Sequence, residues 1–241
     1  MTNEEIRVKN MRISERLVYE QKKKILDREK KHLTGYATVD KPWEKYYPEE
    51  VLKSSLPEMT IFDYLLKNNE YNLDRTALNY FERKIPYGEL ISNINKTAAS
   101  LVESGVKKGD IVSIALPTVP ETIYLFYALS KIGAISNMID PRTSKEGIEN
   151  YVKECNSKIL FIVDQALSKA HDMKEKCGVD EVISISPADS LPKALNYGYR
   201  AKSYIESLKH SKEDKELAKE CTKWNEFFER GKKDKTYTYP E

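Results

Sequence analysis

Glycine is scarce, at 9 of 241 residues. No GxGxxG follows a strand-like run and no GxxxxGK[ST] occurs, so neither common backbone cradle for phosphate is present. HExxH, GxSxG and CxxC are missing as well. Cys155, Cys177 and Cys221 are too dispersed for a disulfide framework or a zinc site. They read as reduced thiols, as expected of a cytoplasmic protein. His32, His171 and His210 stand in charged stretches and read as exposed, inert side chains. No apolar run approaches the roughly 20 residues of a membrane span, and charge from Glu4 onward argues against a secretory signal. An excess of one charge is lacking too. Lys+Arg 40 against Asp+Glu 38 gives +2, which supplies no global drive toward nucleic acid or anionic lipid. Spacing and residue chemistry alone therefore describe a scaffold; no catalytic, cofactor-binding or metal-ligating residue is assigned.

What is present is a regular alternation of buried strands and helices. Ile111 to Leu116 is apolar apart from Ser113 and suits a strand covered on both faces. Pro117 and Pro120 stop it, and Pro120 opens a helix whose apolar side carries Ile123, Phe126 and Tyr127. Gly133 ends that helix, and Ile135 to Ile139 is the next strand. Further strands start near 159 (KILFIV) and 182 (EVISIS), with the helices 145–155 and 165–176 between them. Thr143 and Glu146 have capping-box spacing. Strand starts at 111, 135, 159 and 182 are 23 or 24 residues apart, the signature of a parallel sheet with crossover helices. The expected fold is α/β: a doubly wound, mainly parallel sheet with flanking helices.

Around this centre the pattern is weaker. Residues 4–33 hold no Gly or Pro and read as one long charged helix. Its cluster Lys22, Lys23, Lys24, Arg28, Lys30 and Lys31 reads as a solvated face rather than a membrane contact. Residues 36–58 read as irregular, with Trp43, Tyr46 and Tyr47 expected to pin them to a body. A short helix begins at Thr60. A hairpin is expected over 77–87, turning at Glu82-Arg83, followed by a helix from Gly88 to Ser104. Residues 188–200 read as a loop, 202–208 and 213–229 as helical, and 235–239 as a strand start or tail. Domain bounds are placed at 1–35 (charged helix), 36–75 (connector and short helix) and 76–241 (α/β subdomain).

In open parallel sheets ligands bind beyond the C-terminal strand ends, where the strand order switches. Those ends carry Thr118, then Asp140, Arg142, Thr143 and Ser144, then Asp164 and Gln165. For Asp140 and Asp164 strand termination and helix capping outweigh a ligand role.

Five passages, in order, carry a resemblance. They are Ile85-Pro86-Tyr87-Gly88-Glu89-Leu90, Gly105 to Asp110 with the following IVSIALP, and Leu116 to Glu121 (LPTVPE). Ala128 to Pro141 (ALSKIGAISNMIDP) and Ser157 to Phe161 complete the set. With the lead-in Trp43 to Pro48, they resemble the N-terminal part of the adenylate-forming superfamily, nearest its long-chain fatty-acid and related acyl-CoA ligases. Pro86 stands where the family usually has Thr, and Thr118 where it has Asn. The resemblance implies a parent enzyme that joins a carboxylic acid substrate to coenzyme A through an acyl-adenylate, using ATP and Mg2+. It also implies that the Ser/Thr/Gly-rich phosphate loop, the nucleotide-binding motifs and the small C-terminal domain lie C-terminal to this region. The chain is accordingly expected to stop before that loop and to be catalytically incompetent alone. Coenzyme A's nucleotide end would pass near Lys169 and His171, with no residue-level match there. An alternative is a non-catalytic binding or interaction module on the same scaffold, using the N-terminal basic helix toward a partner or membrane surface. Self-association through apolar surface is a further expectation.

Overall fold

A computed structural model describes residues 13–29, 34–207 and 211–231. The chain divides into two compact units, Met1–Pro57 and Glu58–Glu241. In the first, α1 runs Ile13–Glu29, and α2 (Ala37–Asp40), a 3₁₀ turn (Glu44–Tyr46) and α3 (Glu49–Lys53) follow. The Asp40 carboxylate accepts hydrogen bonds from Thr34 N, Thr34 Oγ1 and Gly35 N at 2.8–2.9 Å, which folds this segment back on itself. Within this unit Tyr36, Trp43, Tyr46 and Tyr47 find no interior, because these one-turn helices are too short to enclose a core of their own.

The second unit begins with α4 (Ile61–Asn69), capped by Thr60, whose hydroxyl accepts from Asp63 N. The hairpin pairs β1 (Thr76–Tyr80) with β2 (Arg83–Pro86). Its turn is Phe81-Glu82, one residue earlier than expected, both with positive φ as a type I′ turn requires. Helix α5 (Tyr87–Glu103) leads into β3 (Ile111–Ala115), α6 (Pro120–Lys131), β4 (Ile135–Met138), α7 (Lys145–Glu154) and β5 (Ile159–Val163). Ser144 caps α7 by accepting from Gly147 N, so the cap lies one residue after Thr143. The expected helix over 165–176 is instead a 3₁₀ segment, Asp164–Ala170, and a separate α8 (Met173–Cys177). Asp172 takes a left-handed φ of 64° between them and breaks the helix.

After β6 (Glu181–Ile185) two further corrections apply. Residues 193–207 are helix α9 (Lys193–Ser207) rather than mostly loop, with Pro192 just ahead of the first turn, where proline is tolerated. The apolar pattern of 213–229 covers two helices, α10 (Lys212–Glu220) and α11 (Trp224–Arg230), separated by the two-residue strand β7 (Thr222–Lys223). The expectations at 4–12, 30–33, 208–210 and 235–239, including His32 and His210, lie outside the described residues.

The main sheet has the order β4-β3-β5-β6-β7 and is parallel throughout. α4, α5, α6 and α11 pack as one layer, and α7, α8, α10 and the 3₁₀ segment as the other. This is the doubly wound α/β architecture, with the chain passing from β3 to β4 on one side and then back across to β5. β5 is buried along its whole length, as a central strand covered on both faces must be.

Candidate functional site at the switch in strand order

β3 leads outward to β4, while β5 lies on the other side of β3. The two C-terminal ends therefore part at β3/β5, where an open sheet offers a crevice. A groove of about 660 Å³ is found there. Leu116, Pro117 and Thr118 supply the wall after β3; Asp140, Pro141 and Arg142 supply the wall after β4. Val163, Gln165, Ala166 and Lys169 close the side after β5. The structure thus brings together Thr118, Asp140, Arg142 and Gln165 of the residues singled out in the sequence.

The charged groups of this groove hold its own turns in shape. The Arg142 guanidinium folds back on Asp140, with Nη2 at 2.6 Å from Oδ2 and Nε at 3.0 Å from Oδ1. Arg142 N also donates to Oδ1 at 2.9 Å. These hydrogen bonds hold the Asp140 carboxyl down at about 2. Lys169 Nζ donates to the Pro141 and Thr143 carbonyls at 2.8 Å each, tying the turn after β4 to the 3₁₀ segment after β5. His171 Nε2 meets Asp214 Oδ1 at 3.1 Å, joining that segment to α10. Ser144 is the α7 cap. The strand-end acids and cations therefore do what Asp and Lys ordinarily do at turns, and the groove presents a mostly apolar floor with a satisfied polar rim.

Asp164 faces a neighbouring cleft of about 400 Å³, shared with Ser186, Asp189, Tyr199, Arg200 and Lys223. Burial raises both the Asp164 and Asp189 carboxyls. Asp189 accepts from Ser186 N at 3.0 Å and is approached by Arg200 Nη2 at 3.4 Å. Gln165 Nε2 donates to the Tyr199 hydroxyl, so α9 is fastened across this end of the sheet. Among the described residues no group of three or more His, Cys, Asp or Glu side chains is placed to hold a metal ion. Among them too, no helix is long and apolar enough to cross a membrane.

Sequence reasoning missed Glu121. It stands in the first turn of α6, three residues past Thr118, and is 2% exposed. Its only sequence signal is a carboxylate at a helix N-terminus, which ordinarily marks a solvated side chain favoured by the helix dipole.

Comparison with known proteins is consistent with this geometry. The AMP-binding enzyme family matches residues 66–225. A long-chain-fatty-acid–CoA ligase of Bacillus subtilis is 28% identical over 160 residues, which are 66% of this chain and 29% of that protein. An acetyl-coenzyme A synthetase of Bartonella quintana is 37% identical over 107 residues, 44% of this chain and 16% of that protein. Among solved structures, a coronafacic acid ligase from Pectobacterium brasiliense superposes with a TM-score of 0.55 at 21% identity, covering 76% of this chain and 31% of that one. At that identity the likeness shows the fold alone. The chain spans less than a third of the length of these curated relatives. With the family match running over well more than half of its length, from α4 into α11, the chain belongs to the AMP-binding enzyme family.

Proposed function

We propose that this chain forms part of the large domain of an ATP-dependent acyl-CoA ligase. That enzyme converts a carboxylate, ATP and coenzyme A into acyl-CoA, AMP and pyrophosphate by way of an acyl-adenylate. The observation that carries the reading is the family match across 66–225, joined to the sequence likeness to a fatty-acid–CoA ligase over 160 residues. ATP, Mg2+ and coenzyme A belong in this reading to the whole enzyme, where the metal and cations would offset the charge that builds on the phosphates.

The described residues do not themselves fit the triphosphate. Arg142 is folded onto Asp140, Lys169 is bonded to two carbonyls, and neither turn is a glycine-rich cradle. No step of the reaction is therefore assigned to them. In this reading they fix the turns of a scaffold, and the 241-residue chain alone does not adenylate. The test pairs two proteins, the 241-residue chain and the product of any reading frame that continues past the Glu241 codon. Each is assayed for carboxylate-dependent ATP–pyrophosphate exchange with acids from acetate to palmitate. Exchange confined to the longer protein is the expected result. Exchange by the 241-residue chain itself, or none by the longer protein with any acid, would overturn the reading.

A further inference from the structure

We infer that the outer face of α9 is an interfacial surface that lies on an anionic lipid membrane, with its tyrosines among the headgroups and its basic residues against the lipid phosphates. The helix has a clear inner side. Asn196, Tyr199 and Ser203, three and four residues apart, are half-buried against the end of the sheet. Asn196 Nδ2 donates to the Ala188 carbonyl at 2.6 Å, and the Tyr199 hydroxyl accepts from Gln165 Nε2. Ser203 lines the 400 Å³ cleft beside them.

The opposite side is not the polar face that a solvated helix presents. At about 100° per residue, Tyr204, Tyr197, Ala201, Ala194, Ile205 and Gly198 follow one another around the outer surface over an arc of about 120°. All six are exposed, Tyr197 at 76%, Tyr204 at 67% and Ile205 at 59%, which leaves most of this apolar surface in water. Charge decides what fits it. Lys193 and Arg200 run along one margin of the arc and Lys202 along the other. No Asp or Glu occurs between Asp189 and Glu206, in a chain that holds 38 acids. The near-neutral total thus conceals a basic strip. Arg200 is partly engaged, Nε donating to Asn196 Oδ1 at 2.7 Å and Nη2 approaching Asp189 Oδ1 at 3.4 Å, but its side chain stays 58% exposed.

An apolar arc with cations on both margins is the arrangement of a helix lying in the plane of a membrane. The apolar side sinks to the boundary between headgroups and acyl chains, and the lysine stems reach back out to the phosphates. Tyrosine suits that depth, its ring apolar and its hydroxyl wet. The face is convex, and Ala201 sits between the two tyrosines, so it offers no pocket for the anchor side chain of a protein partner. At 15 residues the helix is too short to span a bilayer and lies on it instead. The surface is a property of this unit's own fold and stands apart from the ligase reading.

The test is flotation of the 241-residue chain with vesicles of phosphatidylglycerol and phosphatidylcholine in equal parts, and with vesicles of phosphatidylcholine alone. Binding to the anionic vesicles only is expected. Tyr197→Ser/Tyr204→Ser/Ile205→Ser should weaken it at least about tenfold, through loss of buried apolar area. Lys193→Glu/Lys202→Glu should weaken it on the order of 30-fold or more, at about 1 kcal/mol for each basic residue near the surface. Tyr71→Ser, which alters an exposed tyrosine elsewhere in the same unit, should leave it unchanged, and all variants should keep the parent's urea midpoint. In Tyr197→Trp the added emission should shift to the blue on vesicle addition, which a contact made by Lys22, Lys23 and Lys24 of α1 would not produce. No binding by the parent chain, equal binding to both vesicle types, or equal binding by the parent and both α9 variants would overturn the inference. So would a dimer without vesicle binding that the triple serine variant dissociates in sedimentation velocity, which would assign the face to a second copy of the chain.

Discussion

Ser113 is the one polar side chain in an otherwise apolar strand, and its surroundings show how a parallel sheet absorbs such a residue. Its main-chain N–H donates to Ser157 Oγ at 2.9 Å, and Ser157 Oγ in turn donates to the Ile159 carbonyl at 2.9 Å. Its own Oγ accepts from Asn137 Nδ2 at 3.1 Å on the neighbouring strand. Both serines are fully buried. Ser157 thus completes the ladder between β3 and β5 just before β5 begins. Replacing it with alanine leaves the Ser113 N–H buried without a partner, which costs about 1–3 kcal/mol. Ser157→Ala should lower the unfolding free energy by that amount, read as a lower urea midpoint with an unchanged slope; a loss under about 0.5 kcal/mol, the range of ordinary surface changes, would contradict the role. Ser113 was visible in the sequence as an exception to an apolar run. Its partners were not, because they come from positions 24 and 44 residues away. Glu121 was hidden for the same reason: Ser190, which buries it, is 69 residues distant.

Elements with a long period were readable and short ones were not. Strands β3 to β6 and helices α5, α6 and α7 carry enough apolar positions for their spacing to decide between helix and strand. β7 is two residues long, and no periodicity can announce it. What places it is the far side of its neighbour. Arg230, at the end of α11, reaches back to Glu181 at the start of β6 with Nη2–Oε1 at 2.6 Å and Nη1–Oε2 at 2.9 Å, and to Ser104 Oγ at 2.6 Å. Thr222 Oγ1 donates to Glu181 Oε1 as well. Trp224 and Phe227 then seat α11 on the sheet, the Phe227 ring lying edge-on to Phe161 at 5.1 Å. Burial alone would raise the Glu181 carboxyl, but the Arg230 and Thr222 hydrogen bonds outweigh it and hold the acid below its usual range. A depressed carboxyl stabilises the fold above its unfolded value, and that gain is lost as pH falls through the folded one. Arg230→Ala should therefore cost about 1–2 kcal/mol at pH 7, a figure reduced for the partial exposure of the pair. The difference from the parent chain should shrink below pH 4.5 as Glu181 protonates. Urea unfolding at pH 7 and 3.5 checks both; an equal difference at the two pH values would mean that the arginine acts through packing alone.

At the scale of the whole molecule the division into two units has an energetic basis. Among the described residues every apolar side chain of the buried core comes from Phe62 onward, and the family match begins at residue 66. In the first unit no described residue falls in the buried class; α2 and α3 enclose nothing, and the exposed Leu17 and Val18 of α1 are accompanied by Arg16, Glu20 and Lys22. Since hydrophobic stabilisation scales with the apolar area removed from water, the second unit should carry nearly all of the stability. The sequence has Trp43, Tyr46 and Tyr47 pinning the connector to a body, as amphipathic aromatics commonly do. The short helices around them supply no interior within the first unit itself. A chain of residues 58–241 is thus expected to unfold cooperatively, with a Tm within about 3 °C of the full chain. Thermal unfolding followed by circular dichroism, with the full chain alongside, decides the point. A shortened chain without a cooperative transition, or one melting more than about 8 °C lower, would mean that the first unit stabilises the second in solution.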